Sequence, residues 1–97
     1  MVLGGGAEGW NLVANSMAYG DWYGVPYLHE RGTRFGSFLV SIDYSGTILV
    51  LVDWGEVVVY GIDSLKNKFT FPRNSEGKLM IKAETAISQP VRIKVLG

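Results

Sequence analysis

Ile48-Leu49-Val50-Leu51-Val52, then Asp53-Trp54-Gly55-Glu56, then Val57-Val58-Val59-Tyr60 sets two apolar runs on either side of a turn. Short apolar runs bounded by turn residues read as strands. The Asp-x-Gly between them suits a tight hairpin with glycine at a left-handed position. Side chains of a strand alternate between its two faces, so unbroken apolar runs leave both faces of both strands apolar. Leu49, Leu51, Val57 and Val59 fall on one face or on two according to register, with Ile48, Val50, Val52, Val58 and Tyr60 making up the rest. A bare second face would be an exposed apolar patch with an edge-pairing hazard. Its cover must come from the N-terminal segment or from another subunit. The expected assembly contacts are Leu49, Leu51, Val57, Val59, Trp10, Trp22 and Tyr23.

Working outward, Arg34 to Ile42 is a further strand, and Asp43-Tyr44-Ser45-Gly46 is the turn that joins it to the hairpin. Lys66 to Phe71 alternates, with Asn67, Phe69 and Phe71 on one face and Lys66, Lys68 and Thr70 on the other. Pro72 to Gly77 is a loop. Lys78 to Thr85 alternates again, placing Leu79, Ile81 and Ala83 inward. After Pro90, Val91, Ile93 and Val95 point inward and Arg92 and Lys94 outward. Such alternation marks half-buried antiparallel strands. Gly9 to Ser16 reads as a strand with Trp10, Leu12 and Ala14 on one face, or as a helix with a Trp10, Val13, Ala14, Met17 stripe. Strand is favoured because the rest of the chain is β. Asp21 to Leu28 is an irregular or edge strand interrupted by Gly24 and Pro26.

The chain has 97 residues, which suits a single domain over 1–97, with 1–9 as a glycine-rich arm that is flexible or exchanged with a neighbour. About seven or eight short antiparallel strands then predict an all-β sandwich. The hairpin, Phe69-Thr70-Phe71-Pro72, Gly77-Lys78-Leu79-Met80-Ile81 and Pro90-Val91-Arg92-Ile93-Lys94-Val95 cover the last two thirds of the chain. In these features it resembles small jelly-roll modules, as found in carbohydrate-binding domains and virion structural proteins. That resemblance is one of fold and implies no activity.

Composition excludes several chemistries. There is no cysteine, hence no disulfide, thiolate metal site or cysteine nucleophile. The longest apolar run, Ile48 to Val52, is far short of the ~20 residues of a spanning helix. Met1 to Gly6 has none of the regions of a signal peptide. Gly4, Gly6 and Gly9 spell a dinucleotide-type G-x-G-x-x-G, but no strand–helix alternation follows, so a flexible arm explains them. His29 is the single histidine and stands beside Glu30, with no serine elbow or zinc motif; a solvated loop histidine is the expectation. No metal site and no cofactor are expected, with a calcium ion among loop aspartates left open.

Trp10, Tyr19, Trp22, Tyr23 and Tyr27 cluster in a stretch without lysine or arginine. A nucleic-acid platform pairs stacking rings with a basic groove, so this cluster suits a protein interface, a sugar platform or core plugging instead. As a sugar platform it would use Trp22, Tyr23, Tyr27, Trp54 and Asp21. Nine Lys and Arg balance nine Asp and Glu, yet residues 1–63 sum to −5 and residues 64–97 to +5. Lys66, Lys68, Lys78, Lys82, Arg92 and Lys94 form the expected basic face of the last strands, either guarding edges or meeting an acidic neighbour.

The expected function is therefore non-enzymatic: a self-associating subunit of a virion (capsid, decoration or tail component) or of an extracellular filament. A minimal carbohydrate-binding module is the alternative, and a nucleic-acid binder through the basic C-terminal face comes last.

Overall fold

The computed structural model describes residues 10–25, 35–43, 45–53 and 56–96. The chain runs β1 (Trp10–Ala14), β2 (Trp22–Gly24), β3 (Phe35–Ile42), β4 (Gly46–Asp53), β5 (Glu56–Tyr60), α1 (Asp63–Lys66), β6 (Phe69–Thr70), β7 (Met80–Ala83) and β8 (Val91–Val95). A five-stranded sheet has the order β1-β8-β3-β4-β5, and a three-stranded sheet the order β2-β7-β6. Every strand pair is antiparallel. The all-β, sandwich-like architecture expected from the alternation is present.

The two sheets are tied by one long antiparallel contact between the beginning and the end of the chain. β1 pairs with β8 in the large sheet, and β2 pairs with β7 in the small one. Between them Met17 and Ile87 exchange backbone hydrogen bonds of 2.8 Å in both directions. The Gly20 N–H donates to the Ala83 carbonyl at 2.8 Å, and the Ala83 N–H to the Asp21 carbonyl at 3.0 Å. This ribbon crosses from sheet to sheet at Met17 and Ile87, whose side chains are buried and close one side of the core. Backbone polar groups at a sheet corner must be paired, and the paired crossing meets that demand.

The core lies between the sheets. Phe38, Val40 and Ile42 of β3, Ile48, Val50 and Val52 of β4, and Val91 and Ile93 of β8 face Leu79, Ile81, Ala83, Phe69 and Phe71. Phe38 meets Phe71 edge to face at a centroid distance of 6.1 Å. Each fully buried aliphatic or aromatic side chain adds about 1.5–3 kcal/mol, so this single cluster carries the fold.

Three local expectations change. Residues 66–71 are not one strand: α1 ends at Lys66, and β6 is only Phe69–Thr70. The Ile62 carbonyl accepts from both Leu65 and Lys66, and the resulting turn drops Leu65 into the core. Asn67 is consequently exposed, whereas Phe69 and Phe71 stay inward. The Gly9–Ser16 segment is a strand, but a bulge between Leu12 and Ala14 splits the expected face. Trp10 and Leu12 stand opposite Lys94 and Arg92, outside, while Ala14 stands opposite inward-facing Val91. The Asp21–Leu28 strand is confined to Trp22–Gly24 among the described residues.

Gly61 has φ 153°. A Cβ there would lie 2.7 Å from Ile48 Cγ2, so the chain leaves β5 through a space with no room for a side chain. Gly61→Ala is expected to destabilise by about 1–3 kcal/mol in urea unfolding. A cost within a few tenths of the wild type would contradict this close approach.

Candidate functional site

The register assigns the two apolar faces of the β4–β5 hairpin. Val50 stands opposite Val59 and Val52 opposite Val57; Leu49 stands opposite Tyr60 and Leu51 opposite Val58. Val50 and Val52 are buried, so Val57 and Val59 share the core side. Leu49, Leu51, Val58 and Tyr60 form the outer side. The grouping of Leu49 and Leu51 with Val57 and Val59 therefore breaks: those four residues lie on opposite faces of one sheet.

The outer face of the large sheet can be followed strand by strand. One row runs Trp10, Lys94, Leu39, Leu49, Tyr60 across all five strands. The next row is Ser37, Leu51, Val58, beside Leu96, whose N–H donates to the Ser37 carbonyl at 2.8 Å. On the other side lies a polar row of Arg92, Ser41 and Thr47. Arg92 is held there by a salt bridge to Asp43. Exposed apolar residues stand at both ends of this face: Val58, 42%, and Tyr60, 52%, on β5 with Leu96, 51%, beside them, and Leu12, 53%, on β1 opposite Arg92. Leu39, Leu49 and Leu51 are half-buried. A polar-rimmed apolar patch on a sheet face is the usual mark of an interaction surface.

The inner side of β5 is also incompletely covered. The large sheet is five strands wide and the small one three. Val57 and Val59 are only half-buried. They floor an open groove of about 320 Å³, walled by Lys66, Asn67, Phe69, Thr70 and Phe71.

The expected basic face is divided. Arg92 and Lys94 lie on the outer face of the large sheet, and Lys82 on that of the small sheet. Lys66 ends α1 and pairs with Asp63 at 3.5 Å. Lys68 precedes β6, and Lys78 precedes β7, against Gly24. No single sheet face gathers the six residues named from the sequence.

Two of those lysines instead pair with two of the predicted interface tryptophans. Trp10 stands directly opposite Lys94, and Trp22 directly opposite Lys82. The ammonium groups lie 5.8 Å and 5.5 Å from the indole centroids, within cation–π range. Each sheet thus carries one Trp–Lys cross-strand pair on its outer surface. Around Trp22, 44% exposed, Lys82 also reaches Glu84 at 4.0 Å, and Thr70 donates to Glu84 at 2.7 Å. Tyr23 is on the other face of β2. The Asp21 carboxylate accepts from the Ala18 N–H at 2.8 Å, which closes the turn before β2. Tyr27, Trp54, His29, Glu30 and the glycines of residues 1–9 lie outside the described residues.

Among the described residues no group of three or more His, Cys, Asp or Glu is placed to hold a metal ion. Among them, no helix is long and apolar enough to cross a membrane. No family model, curated protein or solved structure matches the chain.

Val58, Tyr60, Leu39, Leu96 and Leu12 are outer-face apolar residues that the sequence did not single out as contacts. Register was the missing information, because parity within each strand leaves the pairing between strands open. The facing makes a direct test on adjacent residues of β4. Ile48→Ala is expected to cost about 2–5 kcal/mol in denaturant unfolding of the dilute chain, and Leu49→Ala less than half as much. Equal costs would contradict the assignment of inner and outer faces.

Proposed function

We propose that the chain is a non-enzymatic assembly protein that self-associates through the outer face of its large sheet. The supporting observation is the contiguous Leu39, Leu49, Leu51, Val58, Tyr60 surface, apolar and half-exposed over three neighbouring strands. Charged and polar residues could occupy these positions at no cost to the core, since none of them faces it. Leucine, valine and tyrosine there serve contact with another surface. A self-associating subunit of a virion or an extracellular filament is the setting we favour, since such assemblies bury sheet faces between copies. The whole chain then acts as a single structural unit, of jelly-roll kind, with no cofactor.

A second reading rests on Trp22. An exposed indole beside Lys82, Glu84 and Thr70 offers a ring face and several hydrogen-bonding groups to a sugar. Lys82 lies over that ring, so the ammonium must move aside before a pyranose can stack. This makes glycan binding the weaker reading, and a glycan-array signal abolished by Trp22→Ala would favour it.

The assembly reading predicts that Leu51→Lys combined with Val58→Lys converts the associated chain to monomer in size-exclusion chromatography, with the far-UV spectrum unchanged. An unaltered elution volume for the folded double variant would overturn this use of the face.

A further inference from the structure

Among the described residues the large sheet ends in two edges, β1 and β5, and the small sheet in two shorter ones, β2 and β6. Unpaired edges invite pairing with another chain, and proteins block them by brevity, bulges, lysine or proline. β6 has two residues and β2 three. β1 is interrupted by its bulge. β5, Glu-Val-Val-Val-Tyr over residues 56–60, carries none of these devices. It pairs regularly with β4 and has only Glu56 as a charge.

We propose that β5 pairs antiparallel with β5 of a second copy across a twofold axis at Val58, joining two five-stranded sheets into one continuous sheet. This deepens the self-association reading and rests on it. The sequence of the edge is self-complementary in that register. Val57 meets Val59 of the second copy on the core side; Val58 meets its own counterpart on the outer side. Glu56 meets Tyr60, and the two Glu56 carboxylates stand about 14 Å apart along the strands, beyond the ~8 Å screening length of physiological salt. A parallel pairing in register would oppose the two carboxylates directly, so charge selects the antiparallel arrangement. The union also makes the apolar outer faces of two copies continuous.

The chain contains no cysteine, so single replacements report cleanly. Disulfides need Cα atoms within about 7 Å, which only directly opposed positions of the pair satisfy. The measurement is copper-catalysed oxidation of the full chain, analysed on non-reducing gels with native mass measured in parallel. Val58→Cys alone should shift most of the chain to a dimer band. Glu56→Cys alone and Tyr60→Cys alone should stay monomeric on the gel, and their mixture should cross-link. If the chain self-associates but this pattern is absent, edge pairing is overturned while self-association stands. If the native mass is that of a monomer at every concentration, both are overturned.

Discussion

An apolar sheet has two faces, and among the described residues a second layer packs on only one of them. The five strands of the large sheet are packed on three, with α1 and the Met17–Ile87 crossing closing the ends of the core. What the small sheet covers is fully dehydrated: Val40, Val50, Val91 and Ile93 have no exposure. What it leaves open is the outer face of β3–β5 and part of the inner face of β5, where Val57 and Val59 floor a groove. Both are lined by valine, leucine and tyrosine. Hydrophobic burial is worth about 25 cal/mol per Å² wherever it occurs, so surface left apolar at this density is stabilised by whatever covers it next.

Two of the lysines, Lys82 and Lys94, stand opposite a tryptophan, where the long aliphatic stem with an ammonium over the ring shields the indole. That arrangement appears once on each sheet, at Trp10–Lys94 and Trp22–Lys82. Arg92 is bound to Asp43, a pair about as exposed as it is buried and so worth at most about 1 kcal/mol. The outer surface thus sets Trp10 and Leu12 of β1 beside Lys94 and Arg92 of β8 and is apolar over β4 and β5. The −5 and +5 halves of the sequence do not become an acidic face and a basic face, because the C-terminal strands enter different sheets.

Facing was legible in the sequence wherever one side of a strand is buried. Leu79, Ile81, Ala83, Val91 and Ile93 are inward as their alternation requires, and the Asp43–Gly46 turn and the hairpin are where turn chemistry places them. Sheet membership was not legible. β7 and β8 have the same alternating pattern, yet one belongs to the small sheet and the other to the large. The pattern records which side is dry and carries no information on which neighbour dries it. The hairpin shows the same limit from another side: with both faces apolar, Val57 and Val59 could not be told from Val58 and Tyr60 without the register. Local competition accounts for the rest. Leu65 is pulled into the core by a helical turn where a period-two pattern suggested a strand, and a bulge at Val13 rotates Trp10 and Leu12 away from Ala14.

Further copies of the same chain are the proposed cover for the open face. Sedimentation equilibrium of the unmodified protein over a wide range of concentrations is the test. If copies cover the face, the weight-average mass rises above the 10.7 kDa of the single chain as concentration increases. A mass that stays at 10.7 kDa up to the highest soluble concentration would contradict it.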